Sequence, residues 1–95
     1  MGKDLKYILL KWFHNLDDEP YKIYSEIDDQ RYEVRKIEIY KNGTIYICDE
    51  QMNNSQIELA DVAFPEDLDE INQDRQFFAQ YISKEKFESI WNKIE

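Results

Sequence analysis

The alternation of apolar and polar residues predicts four β-strands in the first half of the chain. Apolar-rich runs cover residues 7–14, 21–27, 31–40 and 44–48, and polar turns separate them. The first run is apolar on both faces, which is typical of a central strand that is covered on both sides. The third run changes phase near Arg35–Lys36, which indicates a β-bulge.

A tight hairpin is predicted where the third run meets the fourth. Asn42 and Gly43 stand between two alternating segments, and Asn-Gly is the strongest short hairpin signal. We predict a type I′ turn, which requires a positive φ at both of these residues.

The second half of the chain predicts a short edge strand at 56–62 and a short helix at 65–72, where a proline and several acidic residues suit a helix N-terminus. Residues 76–82 match neither the strand nor the helix period. Ser83 is a good N-cap for a final helix at 84–94. The apolar stripe of that helix consists of Phe87, Ile90, Trp91 and Ile94.

These elements predict one α+β domain over residues 1–95. We expect an antiparallel β-meander of four to five strands, covered on one face by the C-terminal helix and the short helix. A chain of 95 residues is long enough for one modest core.

Charge is concentrated in the C-terminal half. The net charge is −9: residues 1–48 contribute −1, whereas residues 49–95 contribute −8. Such a field repels nucleic acid and anionic membranes and attracts basic proteins. The competing interpretation is that an acidic surface merely keeps the protein soluble.

Cys48 is the sole cysteine, which suits a reducing compartment, and its place at the end of a predicted strand favours a buried thiol. The N-terminal residues lack a signal-peptide layout, and no run is long enough to span a membrane. We therefore predict a cytoplasmic protein.

The sequence offers little for catalysis. His14 is the single histidine, the many paired carboxylates fall in predicted turns, and the only glycines are Gly2 and Gly43. Catalytic triads and zinc sites need further histidine or cysteine residues, and phosphate-binding loops need several glycines close together. We expect no enzyme activity, no metal and no cofactor. The alternative is a small ligand-binding domain or enzyme that uses sheet-face residues. Those residues are His14, Glu26, Arg31 and Arg35.

The basic cluster formed by Arg31, Arg35 and Lys36 has a structural explanation, because acidic residues in the same strands can pair with it across the sheet. The acidic stretch 49–74 has fewer counter-charges. Carboxylates around apolar anchors suit docking to a cationic protein, although a solvated face would look the same. The candidate partner-binding residues are Asp49, Glu50, Glu66, Asp67, Asp69 and Glu70.

The order of several short motifs is distinctive. They are Trp12-Phe13-His14, Asp18-Glu19-Pro20, Tyr24-Ser25-Glu26, the run 31–38, Ile82-Ser83-Lys84-Glu85, and Phe87 followed by Trp91. In these motifs the chain resembles small bacterial domains that are similar to the immunity proteins of contact-dependent or polymorphic toxin systems. It departs from them at 76–81, which is more aromatic.

The resemblance implies a binding protein of the immunity or antitoxin kind. Its partner would be a cognate basic toxin, possibly a nuclease, whose active site it occludes. Direct contact with nucleic acid or membrane is not expected, and the protein would be a monomer or a weak dimer. A structural or regulatory adaptor that self-associates through the exposed face of its sheet is a further alternative.

Overall fold

The computed structural model describes residues 4–51 and 57–94. Five strands and two helices occur there: β1 (Lys6–Trp12), β2 (Lys22–Ile27), β3 (Glu33–Ile39), β4 (Ile45–Asp49), α1 (Asp69–Asn72), β5 (Phe77–Ile82) and α2 (Lys84–Ile94). The sheet is antiparallel throughout, with the order β4-β3-β2-β1-β5. The first four strands form a meander, and β5 returns to pair with β1 at its free side.

The sheet is covered on both faces because β1 and β2 present apolar side chains alternately to each. Tyr7 and Leu9 join a core with Phe87 and Trp91 of α2. Ile8 and neighbouring residues pack on the opposite face against the segment that contains α1. The α+β class and the five-stranded antiparallel sheet are confirmed. The placement of both helices on one face was wrong: α1 and α2 lie on opposite faces.

A buried carboxylate fixes the chain that leads to α1. Glu33 accepts hydrogen bonds from Ser25 Oγ at 2.7 Å and from the Ala60 backbone N–H at 2.6 Å. Lys36 Nζ lies 3.2 Å from the same carboxylate. A buried charge is tolerated when its hydrogen-bonding capacity is met in this way. Residues 57–62 therefore cross the sheet as irregular chain, not as the edge strand predicted for 56–62, whose first residue lies outside the described part.

The hairpin between β3 and β4 is confirmed, but its predicted turn type was wrong. Gly43 has a φ of 91°, whereas Asn42 does not have a positive φ. The Tyr40 N–H donates to Thr44 O at 2.9 Å, and the Gly43 N–H donates to Tyr40 O at 3.0 Å. The connection is thus a three-residue loop, a type I turn followed by a left-handed glycine. Asn42 Oδ1 instead accepts the Thr44 N–H at 2.9 Å.

The phase change in β3 has its source at Val34. Glu26 pairs with Arg35 and Ile27 pairs with Glu33, so Val34 is the extra residue of a bulge. This is one position before the predicted Arg35–Lys36. Arg35 and Ile37 share one face by ordinary alternation, whereas the bulge places Glu33 on the opposite face with Ser25.

The C-terminal elements agree with the sequence in part. Helix α2 has the predicted bounds, and Ser83 Oγ accepts the Lys86 N–H at 3.1 Å, as expected of an N-cap. Of the helix predicted at 65–72, only the last turn forms, as α1. Within the ambiguous segment 76–82, residues Phe77–Ile82 form β5. The thiol of Cys48 is buried as predicted.

Candidate functional site

Four strands bring one row of polar side chains together at one end of the sheet. In the antiparallel register, Glu26 of β2 lies between Tyr7 of β1 and Arg35 of β3, and Arg35 lies opposite Asp49 of β4. Directly opposed residues of a sheet share a face and lie close enough to interact. The row therefore projects on the face that α2 covers.

Arg35 holds the buried carboxylate of Glu26 with both ends of its guanidinium. Arg35 Nε donates to Glu26 Oε1 at 2.7 Å and Nη2 donates to Oε2 at 2.8 Å. The Tyr7 hydroxyl donates to Glu26 Oε2 at 2.8 Å. Glu26 is only 4% exposed. Because bidentate Arg–carboxylate pairs are strong and geometrically specific, this pair locks β2 to β3.

The helix α2 supplies a second carboxylate to the same guanidinium. Arg35 Nη1 and Nη2 donate to the Glu88 oxygens at 3.2 and 2.7 Å. The guanidinium carbon also lies 4.9 Å from the ring centroids of Phe87 and of Trp91, which permits cation–π attraction. We call this set of four polar side chains the Arg35 network: Tyr7, Glu26, Arg35 and Glu88.

The contacts within the Arg35 network shift the pKa values of its members. Burial alone would raise the pKa of Glu26, but hydrogen bonds from Arg35 and Tyr7 outweigh it and lower the pKa. The hydrogen bond from Arg35 likewise lowers the pKa of Glu88. Burial, followed by the hydrogen bond to Glu26, raises the pKa of Tyr7 to about 12. At neutral pH the network thus carries two carboxylates and one guanidinium, a net charge of −1.

An open depression of about 420 Å³ lies above the Arg35 network. Four carboxylates and two cations line it, so its ionisable groups sum to −2. Its lining consists of Leu5, Tyr7, Glu26, Val34, Arg35, Asp49, Glu50, Gln51, Lys84 and Glu88. Because the donors of Arg35 already face carboxylates, the depression suits a cationic group better than an anion.

The six sequence-predicted partner-binding residues fall into two sets. Asp49 and Glu50 line the depression, where Asp49 Oδ1 also accepts the Gln51 N–H at 2.9 Å. The other four belong to the segment on the opposite face of the sheet, and all are exposed. They are Glu66, Asp67, Asp69 and Glu70. The structure therefore does not join the six into one surface.

The four sheet-face residues of the alternative site are also separated. Glu26 and Arg35 pair, as the cross-strand interpretation of the basic cluster predicted. His14 follows β1 at the other end of the strand, where its Nε2 bonds Pro20 O at 2.8 Å and its Nδ1 accepts the Leu16 N–H at 2.9 Å. Arg31 binds Phe64 O, Pro65 O and the Tyr81 hydroxyl through its side chain.

Sequence reasoning missed Tyr7, Lys84 and Glu88. Tyr7 lies in the first predicted strand, which is apolar on both faces, and Glu88 lies within the last predicted helix. Only the register of β1 with β2, and the docking of α2 beside β3, bring these side chains to Arg35. A charged residue next to the apolar stripe, as Glu88 is next to Phe87, is the one local signal that was present.

A family model matches residues 6–95, which run from the start of β1 past the end of α2. The chain belongs to the family described as Domain of unknown function (DUF6881). All four residues of the Arg35 network lie within the matched region. No curated protein and no solved structure matches the chain.

Two further features are absent from the part of the chain that the structure describes. No group of three or more His, Cys, Asp or Glu side chains in that part of the chain is arranged to hold a metal ion. No helix among residues 4–51 and 57–94 is both long and apolar enough to cross a membrane.

Proposed function

We propose that this chain is a binding protein of the immunity kind, which neutralises a basic protein toxin by occluding the toxin's cationic active site. The observation that carries the proposal is the depression above the Arg35 network, where four carboxylates outnumber two cations. Its place on a chain of net charge −9 adds long-range attraction for the same kind of partner.

The Arg35 network suits the base of such a site because it is pre-organised. Arg35 is held by Glu26 and Glu88 and stacked near two rings, so little side-chain freedom is lost when a partner docks. A lysine or arginine of the toxin would enter beside Asp49 and Glu50. If the toxin is a nuclease, these carboxylates would occupy the positions of substrate phosphates.

The acidic residues on the opposite face receive a different role in this proposal. Exposed charges away from a contact raise the association rate more than they hold the complex. We therefore assign direct contact with the toxin to Asp49 and Glu50. Electrostatic steering is assigned to the four exposed acids Glu66, Asp67, Asp69 and Glu70. The protein would act in the cytoplasm, without a cofactor and without catalysis.

Two charge-reversed variants test the assignment. D49K/E50K and D69K/E70K change the net charge equally, but on opposite faces of the sheet. The probe is the purified product of the gene adjacent to the one that encodes this chain, and binding is followed by surface plasmon resonance. We expect D49K/E50K to weaken binding at least 100-fold, mainly by faster dissociation. We expect D69K/E70K to slow association a few-fold, with a loss that shrinks in high salt.

Two results would refute the proposal. The adjacent product would show no binding to the wild-type chain, or D49K/E50K would bind as tightly as wild type. If instead D69K/E70K abolishes binding and D49K/E50K does not, the chain is a binding protein whose contact lies on the α1 face.

A further inference from the structure

Strand β4 forms the edge of the sheet beside β3. In the hairpin that joins these strands, the Tyr40 N–H donates to Thr44 O at 2.9 Å, and the register then continues without a break. Every second residue of β4 therefore bonds to β3, and the residues between them turn their backbone groups outwards. The residues that direct their N–H and C=O groups away from the sheet are Ile45, Ile47 and Asp49.

The outward groups of β4 form a template for another strand. Within the described residues, no hydrogen bond reaches the outward backbone groups of Ile45 or Ile47. Strand β4 also has neither a lysine, a proline nor a bulge, which are features by which natural proteins block an edge. The β5 edge is blocked, because the Asn72 side chain donates to Ala79 O at 3.0 Å and accepts the Ala79 N–H at 2.6 Å.

The side chains at the β4 edge define the chemistry of a strand that would fit it. Ile45, Ile47 and Asp49 share the face that α2 covers, and Ile47 packs against the core there. Residues directly opposite them in an added strand would project on the same face, within about 4.5–5.5 Å between Cβ atoms. Aliphatic side chains opposite Ile45 and Ile47 would extend that core. A lysine or arginine opposite Asp49 would lie at the rim of the depression, which Asp49 and Glu50 line.

We propose that the outer edge of β4 docks an extended segment of the toxin as an added antiparallel strand, with a basic residue opposite Asp49 and aliphatic residues opposite Ile47 and Ile45. This inference rests on the proposed function, and it adds the route by which a cationic side chain of the toxin reaches the depression. In this mode of recognition main-chain hydrogen bonds give affinity and alternate side chains give specificity. Charge complementarity favours a basic segment over β4 of a second copy, since each copy carries a net charge of −9.

A proline at position 45 tests the edge while leaving β4 paired. Ile45 is the first residue of β4 and its N–H points away from β3, so Ile45→Pro removes an outward donor and keeps the hydrogen bonds to β3. The matched control is Ile45→Ala, which removes most of the same side chain and keeps the N–H. The Ile45 side chain is 39% exposed, so neither substitution opens the core. Circular dichroism checks that both variants fold.

Two probes are titrated by surface plasmon resonance. The first is the purified product of the adjacent gene, and the second is a synthetic peptide that carries Arg-Thr-Val-Thr-Val between soluble flanks. In the antiparallel alignment its arginine faces Asp49 and its valines face Ile47 and Ile45. The reversed peptide, Val-Thr-Val-Thr-Arg, has the same composition but places arginine opposite Ile45.

We expect I45A to bind both probes as wild type does, and I45P to bind each at least tenfold more weakly. The forward peptide should bind wild type at least tenfold more tightly than the reversed peptide. Hydrogen exchange needs no substitution: the amides of Ile45 and Ile47 should exchange more slowly in wild type when either probe is bound. This measurement decides the question if I45P does not fold.

The outcomes separate this inference from the proposed function. If the gene product binds I45P as tightly as I45A, or binds wild type without slowing the two amides, strand docking is overturned and the proposed function stands. If the gene product does not bind but the forward peptide binds wild type and not I45P, the proposed function fails and the docking edge remains. A reversed peptide that binds as tightly as the forward one overturns the pairing with Asp49, and binding of neither probe overturns both proposals.

Discussion

Arg31 holds a backbone conformation that its side chain disfavours. It has a φ of 69°, and its N–H bonds Asp28 O at 2.9 Å while the Asp28 N–H bonds Tyr32 O at 3.0 Å. This is the pattern of the hairpin loop that ends in Gly43, with an arginine where that loop has glycine. A left-handed conformation costs a residue with a Cβ roughly 1–2 kcal/mol.

The side chain of Arg31 offsets this strain by fastening the α1 segment to the sheet. Arg31 Nη2 donates to Pro65 O at 2.7 Å and to the Tyr81 hydroxyl at 2.8 Å, and Nε donates to Phe64 O at 3.1 Å. At about 1 kcal/mol net for each of the three acceptors, the side chain contributes roughly 2–3 kcal/mol.

Two substitutions at position 31 separate the backbone strain from the side-chain contacts. R31A loses the hydrogen bonds and keeps the strain, so its unfolding free energy should fall by about 2–3 kcal/mol. R31G loses the same bonds but relieves the strain of roughly 1–2 kcal/mol. Glycine also favours the unfolded chain by roughly 0.4–1 kcal/mol, which offsets part of that gain. We therefore expect R31G to be more stable than R31A by about 0.5–1 kcal/mol, although glycine normally destabilises.

The matched control is Gly43→Ala in the other loop. An added Cβ at Gly43 meets no atom within 4 Å, so this substitution introduces strain without a clash and should be destabilising by a similar amount. Urea unfolding followed by tryptophan fluorescence gives all three values, provided that the m-values agree. An R31A variant as stable as R31G, with G43A clearly destabilised, would refute the account of strain at Arg31.

Three other predictions concern the Arg35 network and α2. Glu26→Gln should lower the unfolding free energy by roughly 2–4 kcal/mol in urea titrations, and Glu88→Gln by under about 1 kcal/mol. The difference is expected because Glu26 is the buried member of this pair of carboxylates. Equal losses of unfolding free energy in the two variants would contradict this reasoning. Burial and the hydrogen bond to Glu26 raise the pKa of Tyr7 from about 10 in the unfolded chain to about 12 in the fold. Its stabilising contribution of about 3 kcal/mol should therefore be complete below pH 10 and be lost as the pH rises towards 12. Tyr7→Phe should flatten that decline in a series of urea titrations between pH 9 and pH 12. Ser83→Ala should lower the unfolding free energy by about 1 kcal/mol and reduce the helical circular dichroism signal only slightly, since the cap bond to Lys86 is lost while α2 stays packed.

Elements with local signals could be predicted from the residues of the chain alone. Period-two runs located four strands, Asn42-Gly43 located the hairpin, and Ser83 with the stripe of α2 located the last helix. Each of these follows from neighbouring residues, because side-chain periodicity and capping act over one or two turns of chain.

The other features depend on tertiary contacts, because they join residues that are distant along the chain. Segment 77–82 is a strand because β1 offers it an edge, and its own pattern is ambiguous since both of its faces are partly exposed. The side of the sheet that α1 covers and the meeting of Glu26, Arg35 and Glu88 in one network likewise depend on register and docking. A change of one residue in register would turn each of these side chains to the other face, so no local pattern could have fixed them.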